Sequence, residues 1–233
     1  MPIGCATLCY ADDTLVTASA DNFEEARIRV EIGTTAVVRA IERLGLKVSI
    51  AKTEAIAFMA EGIPRGAVVR IGGTVVPIGS TLKYLGLILD SRWTFRDHFN
   101  AVVPKAWGLT TSLARIMANI GGPGERRRRT YAAVVMSVVL YGAPIWAQTA
   151  AEDRGIRGAV RKLQRQLTLR VIRGYRTISG EAAAILSGMV PFDLAANRLR
   201  RSYLRRREII ARDGAVAPGV SATAGNGASQ SNR

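Results

Sequence analysis

The chain has 233 residues, 48% hydrophobic and 22% charged, enough apolar material for a sizeable core and unlike a disordered chain. Its 33 Lys and Arg against 18 Asp and Glu leave a formal net charge of +15, which suits a polyanionic partner, most simply nucleic acid. With Cys5 and Cys9 the only cysteines and His98 the only histidine, a Cys/His structural zinc centre is excluded and two buried free thiols in a reducing compartment are expected.

The opening residues lack the charged-then-apolar pattern of a secretion leader, so secretion is not expected. Ala6, Leu8 and Tyr10 alternate with small or polar residues up to the stretch Tyr10-Ala11-Asp12-Asp13, and Thr14 to Thr17 resume a β-prone composition. This pattern predicts a hairpin with the two carboxylates at its tip. Asn22 with Glu25 three residues on predicts a helix start, and Val30, Val37, Ile41 and Leu44 keep helical spacing until Gly45. Such a helix is expected to pack beneath the hairpin. Short strands are expected at 46–50, 55–59, 68–71, 75–78 and 82–89, separated by Gly62, Pro64, Gly72-Gly73 and Gly79.

After Trp93 the texture turns helical. Tyr131 to Ala151 contains no charged residue and is long enough to span a bilayer. Gly142 and Pro144 interrupt it, so a buried core segment is expected and no membrane partner. From Arg154 to Arg176, Ile156, Val160, Leu163, Leu167 and Val171 form one helical stripe, with Arg157, Arg161 and Arg165 on a neighbouring face. Residues 213–233 are small and polar, and a disordered tail is expected there.

Adjacent aspartates repel one another, and hard oxygen ligands on a rigid turn suit Mg²⁺ or Mn²⁺. Alone the pair is weak evidence, because Asp-Asp is common in turns. More motifs follow in order: Gly45-Leu46, Lys52-Thr53-Glu54, the run KYLGLILD from Lys83 to Asp90, Phe95 with His98, Tyr141-Gly142 with Trp146, and SGEAAAILSGMVPFDLA from Ser179 to Ala195. With Cys9-Tyr10-Ala11-Asp12-Asp13 at their head, these residues resemble the reverse transcriptases of non-LTR (LINE-like) retrotransposons, over the chain from its first residues to about Arg212.

That resemblance implies an α+β fold: a polymerase palm remnant over 1–101 bearing the Tyr-Ala-Asp-Asp hairpin, then a mainly helical thumb and connecting region over 102–212. It implies that Asp12 and Asp13 are metal-binding carboxylates and that Tyr10 and Ala11 shape the turn near primer and nucleotide. Lys52 falls where the family places a basic residue near the leaving phosphates; the alternative is a solvated lysine paired with Glu54. Tyr84, Leu85 and Gly86 would belong to the hairpin that supports the primer strand. The intact enzyme would be an RNA-directed DNA polymerase using Mg²⁺ (or Mn²⁺), an RNA template and a DNA primer or target DNA, in the nucleus or cytoplasm.

The family's fingers, and its strand bearing the first catalytic aspartate, precede this hairpin and cannot fit into Met1 to Leu8. Neither Asp21 nor Asp90 is expected to replace that aspartate, since catalytic ligands must be placed to about half an ångström. This chain alone is therefore expected to be inactive unless a complementing chain supplies the missing palm and fingers. The alternatives are a non-catalytic, salt-sensitive RNA- or DNA-binding remnant and a poorly folded gene-remnant product. Arginines at 157, 161 and 165, with a later cluster that includes Arg201 and Arg205, are the expected phosphate contacts. Arg126 to Arg129 add to the basic excess and also read as a weak nuclear localisation signal.

Overall fold

The computed structural model describes residues 3–59 and 62–214. It divides between Asp97 and His98 into a mixed α/β unit and a helical unit.

The first unit begins with β1 (Cys5–Tyr10) and β2 (Asp13–Ala18), paired antiparallel with Leu8 opposite Leu15 and Tyr10 opposite Asp13. Only Ala11 and Asp12 link them, and Ala11 takes a left-handed φ of 52°, the conformation such short hairpin turns demand. Helix α1 (Phe23–Arg43) follows, its N-terminus capped by Asn22, whose Oδ1 accepts the Glu25 N–H at 2.9 Å. Glu25 itself pairs with Arg29 at 2.5 Å. Asn22→Ala is expected to cost about 1 kcal/mol, seen as a lower urea midpoint.

Helix α1 packs on β1, β2 and the later strand β4 (Val68–Ile71). Val69, Ile71 and Val76 form the buried centre, with Val30, Val38, Ile50, Ala55 and Ile78 packed around them. Leu44 lies beyond the last helical turn as its C-cap and is 77% exposed, so the apolar stripe read through it stops one turn early.

The strand expected at 46–50 does not form. Ile50–Lys52 is a short 3₁₀ turn that brings Ile50 onto the core. β3 is only Ala55–Ile56, and it pairs parallel with β5 (Thr74–Gly79), which is antiparallel to β4. The β4–β5 turn is Gly72-Gly73, both at positive φ (55° and 84°), where a side chain would strain the backbone. The single strand expected over 82–89 is a hairpin of β6 (Thr81–Tyr84) and β7 (Leu87–Asp90), turning at Leu85-Gly86. Leu85 is held at φ 46°, a conformation its apolar side chain does not advertise.

In the helical unit, α2 (Arg96–Ile116), α3 (Glu125–Val139), α4 (Ala143–Glu152), α5 (Arg154–Ile172), α6 (Gly180–Ser187) and α7 (Phe192–Asp213) follow in order. The uncharged run breaks between α3 and α4, which bend by 86°, and no single helix among the described residues is long and apolar enough to cross a membrane. Gly142 stands at the bend with φ 70°. Ile156, Val160, Leu163, Leu167 and Val171 are all buried, as their spacing predicts. Phe99, Trp146 and Phe192 meet at centroid distances of 4.9, 6.0 and 6.3 Å. Buried Gln164 fixes the entry to α7, donating to Val190 O at 2.7 Å and accepting the Phe192 N–H at 2.9 Å. Asp213 belongs to α7 and Gly214 caps it; the rest of the expected tail lies outside the described residues.

Candidate functional site

The hairpin displays Asp12 in its turn and Asp13 at the start of β2, both exposed. Tyr10 is 65% exposed and Leu8 58%, because only one face of this two-stranded ribbon meets α1. Cys9, whose side chain points to the opposite face of the strand, is exposed as well, correcting the expectation of two buried thiols. Cys5 is half-buried, its Sγ donating to Arg29 O at 3.3 Å.

Lys52 ends the 3₁₀ turn and is exposed. Glu54 accepts the Lys83 N–H at 3.1 Å and so anchors β6. Tyr84 is half-buried, with its hydroxyl oxygen buried and unpartnered, while Leu85 and Gly86 form the turn beyond it. Among the described residues no group of three or more His, Cys, Asp or Glu stands together to hold a metal ion.

Asp90 has a different task. Its Oδ1 accepts the Arg92 N–H at 3.1 Å, the Thr94 N–H at 3.0 Å and the Thr94 hydroxyl at 3.1 Å, and its Oδ2 accepts the Phe95 N–H at 2.5 Å. Burial raises its pKa, but the hydrogen bonds from Thr94, Phe95 and Arg92 outweigh that and hold the carboxyl below its ordinary value. The carboxylate staples the loop that follows β7. Asp21 is exposed, just ahead of the capping Asn22.

The arginines on α5 are largely engaged within their own unit. Arg161 pairs with Asp193 of α7 at 3.1 Å. Arg165 donates to the carbonyls of Arg176 at 2.5 Å and Ile178 at 2.8 Å, holding the loop ahead of α6. Arg157 is half-buried. In the Arg126–Arg129 run, Arg128 is wholly buried and Arg129 pairs with Glu125 at 2.5 Å, while Arg126 and Arg127 are exposed. Helix α7 carries the more open basic face: Arg198, Arg201 and Arg205 are exposed at spacings of three and four, on one side of the helix. Tyr175 and Tyr203 are 83% and 47% exposed, which leaves both rings accessible.

Two features escaped the sequence reading. One is the structural use of Arg128, hidden inside a run of four identical residues. The other is an exposed aromatic pair, Phe58 and Trp93, whose rings stand 5.3 Å apart although 35 residues separate them in sequence.

The chain is similar to a 115 kDa protein of type-1 retrotransposable element R1DM from Drosophila melanogaster, at 28% identity over 87% of this chain and 20% of that protein. It is similar to a retrovirus-related Pol polyprotein from type-1 retrotransposable element R1 of Nasonia vitripennis, at 26% identity over 80% of this chain and 57% of the relative. The corresponding R1 polyprotein of Bradysia coprophila is 28% identical over 84% of this chain and 20% of its own length. The chain thus spans between a fifth and little more than half of these relatives. No family model and no solved structure matches it. It is a distant homologue of retrotransposon R1 Pol proteins over most of its length.

Proposed function

We propose that the chain is the later part of a non-LTR retrotransposon reverse transcriptase, palm-like to about residue 101 and thumb-like to about 212, and that it acts by holding RNA template and DNA primer or target DNA. The similarity to R1 Pol proteins across most of the chain carries this reading. The two-residue turn bearing Asp12 and Asp13 and the exposed arginines of α7 support it.

Two-ion nucleotidyl transfer needs more oxygen ligands than one carboxylate pair provides. Since no third acidic or imidazole side chain joins Asp12 and Asp13 among the described residues, the pair does not fit as a complete metal centre of this chain. Mg²⁺ binding here belongs to an assembly in which further chain supplies carboxylates. In such an assembly Asp12 and Asp13 would contribute oxygen ligands, Lys52 would stand as a cation near the nucleotide's phosphates, and Tyr10, Ala11, Tyr84, Leu85 and Gly86 would line the primer and nucleotide. Arg201 and Arg205, with Arg198, grip phosphates from α7. Of the α5 residues, Arg157 and Arg161 add positive charge and Arg165 acts through the loop it holds.

The test is primer extension on a primed RNA template with Mg²⁺ or Mn²⁺, beside Asp12→Ala/Asp13→Ala and a binding titration. The isolated chain is expected to bind without extending, and the double variant to bind equally. Affinity should fall about a thousandfold between 50 and 200 mM salt for six phosphate contacts. Extension that disappears in the double variant overturns the incomplete site; absence of any nucleic-acid binding overturns the reading itself.

A further inference from the structure

After β7 the chain runs Asp90-Ser91-Arg92-Trp93-Thr94-Phe95, and both aromatic residues sit in the left-handed region, Trp93 at φ 58° and Phe95 at φ 59°. Bulky residues avoid this conformation. The four hydrogen bonds accepted by Asp90, with the Trp93 N–H donating to Asp90 O at 2.9 Å, hold it in place.

The outcome is a division of labour between the rings. Phe95 is fully buried, while Trp93 turns outward and keeps 43% of its surface open. It stands edge-to-face against Phe95 at 5.1 Å and against Phe58 at 5.3 Å, and Phe58 is itself 51% exposed. These two rings, with Met59, Ser91 and exposed Arg92, line an open hollow of about 420 Å³. The loop thus places an indole at the surface, fixes its backbone and carries the exposed Arg92 in the lining of the same hollow. In a chain of net charge +15, that chemistry matches an unpaired base stacked on an aromatic ring with its phosphate on an arginine.

We infer that Trp93 and Phe58, with Arg92, form a base-stacking platform for single-stranded nucleic acid. The inference rests on the nucleic-acid reading above and adds to it a place within the α/β unit where unpaired nucleotides are held. A duplex, whose bases are already stacked, gains little there.

The test measures binding of the full chain to fluorescently labelled single-stranded RNA, single-stranded DNA and a blunt duplex of equal length. The variants are Trp93→Gly and Phe58→Ser. Glycine accepts a φ of 58° without strain, so Trp93→Gly removes the ring and keeps the loop; an unchanged circular dichroism spectrum confirms this. Phe58→Ser removes the second ring and leaves the residues of the loop unchanged. Both variants are expected to weaken single-strand binding about tenfold, with duplex affinity and salt dependence unchanged. Trp93→Phe should retain most of the binding. Loss on RNA alone or on DNA alone identifies which strand is held. Unchanged single-strand binding in both variants overturns the platform while leaving the nucleic-acid reading intact, as does an equal loss on duplex. If the parent chain binds no nucleic acid, both fall together.

Discussion

Replacing Arg128 by alanine is expected to destabilise the helical unit by about 4 kcal/mol or more, enough to unfold a marginal domain. The side chain is fully buried, yet each of its four hydrogen bonds goes to a backbone carbonyl. Nε donates to Pro123 O at 2.7 Å, Nη1 to Met117 O at 3.1 Å and Arg170 O at 2.8 Å, and Nη2 to Ala118 O. Met117 and Ala118 lie just past the end of α2, and Arg170 lies in the last turn of α5. Helix C-termini carry unpaired carbonyls and the negative end of the helix dipole, so one guanidinium answers both helices together. Burial, then the charges of Arg173 and Arg170, lowers its pKa from the usual arginine value.

Alanine removes this donor from all four carbonyls, of which Pro123 O keeps a longer bond from Arg173 Nη2 at 3.3 Å, at about 1–3 kcal/mol for each that is left unsatisfied and that water does not reach. Arg128→Lys restores the charge without the planar fork and should recover less than half of the loss. Urea unfolding followed by circular dichroism is the measurement. A loss under about 1 kcal/mol for the alanine variant would show that the carbonyls find other partners.

The second large effect belongs to Asp90. Asp90→Ala removes every acceptor that holds Arg92, Thr94 and Phe95, and a loss of about 3 kcal/mol is expected from the freed N–H groups and the released left-handed backbone. The pH dependence has a definite sign. The folded-state pKa is below that of the unfolded chain, so this stabilisation is fully present above about pH 4 and disappears as pH falls through the folded value. Asp90→Asn keeps one carbonyl oxygen but turns an amide N–H₂ toward a backbone donor. It should lower stability at neutral pH and flatten the acid limb below about pH 4, whereas a variant with an unaltered acid limb would show that other carboxylates govern it.

Elements with strong periodicity or explicit end signals were legible in the sequence: the Asp-bearing hairpin, α1 from its Asn22 cap, α5 from its buried stripe, and the break at Gly142. Over 46–50 Leu46, Val48 and Ile50 alternate as a strand would, yet no strand forms: Leu46 is left exposed and Ile50 reaches the core from a tight turn instead. Composition alone reads as one strand over 82–89 because Leu85 gives no turn signal, whereas the family resemblance puts Tyr84, Leu85 and Gly86 in a hairpin, which is what forms. The site was legible in its residue types and less so in its partners. Asp12 and Asp13 stand at the tip of the hairpin that the alternation predicts, but a stripe of arginines at helical spacing does not reveal that Arg161 faces Asp193 or that Arg165 faces two carbonyls. Arg128 shows the limit clearly, since a run of four arginines looks like solvent-facing charge until three-dimensional packing buries one.

The pairing of α4 with α7 governs the order in which the helical unit can be assembled. Trp146 stacks on Phe192, 46 residues later in the chain, and Ala143, Ala147 and Ala150 of α4 are buried with it. During synthesis the uncharged run through α3 and α4 emerges well before α7 can meet it. A non-local contact of this kind forms slowly and leaves apolar surface open in the meantime. The growing chain therefore passes through an interval in which that run is sticky, and a chaperone that shields it until α7 arrives would raise the yield of folded protein without altering its final stability.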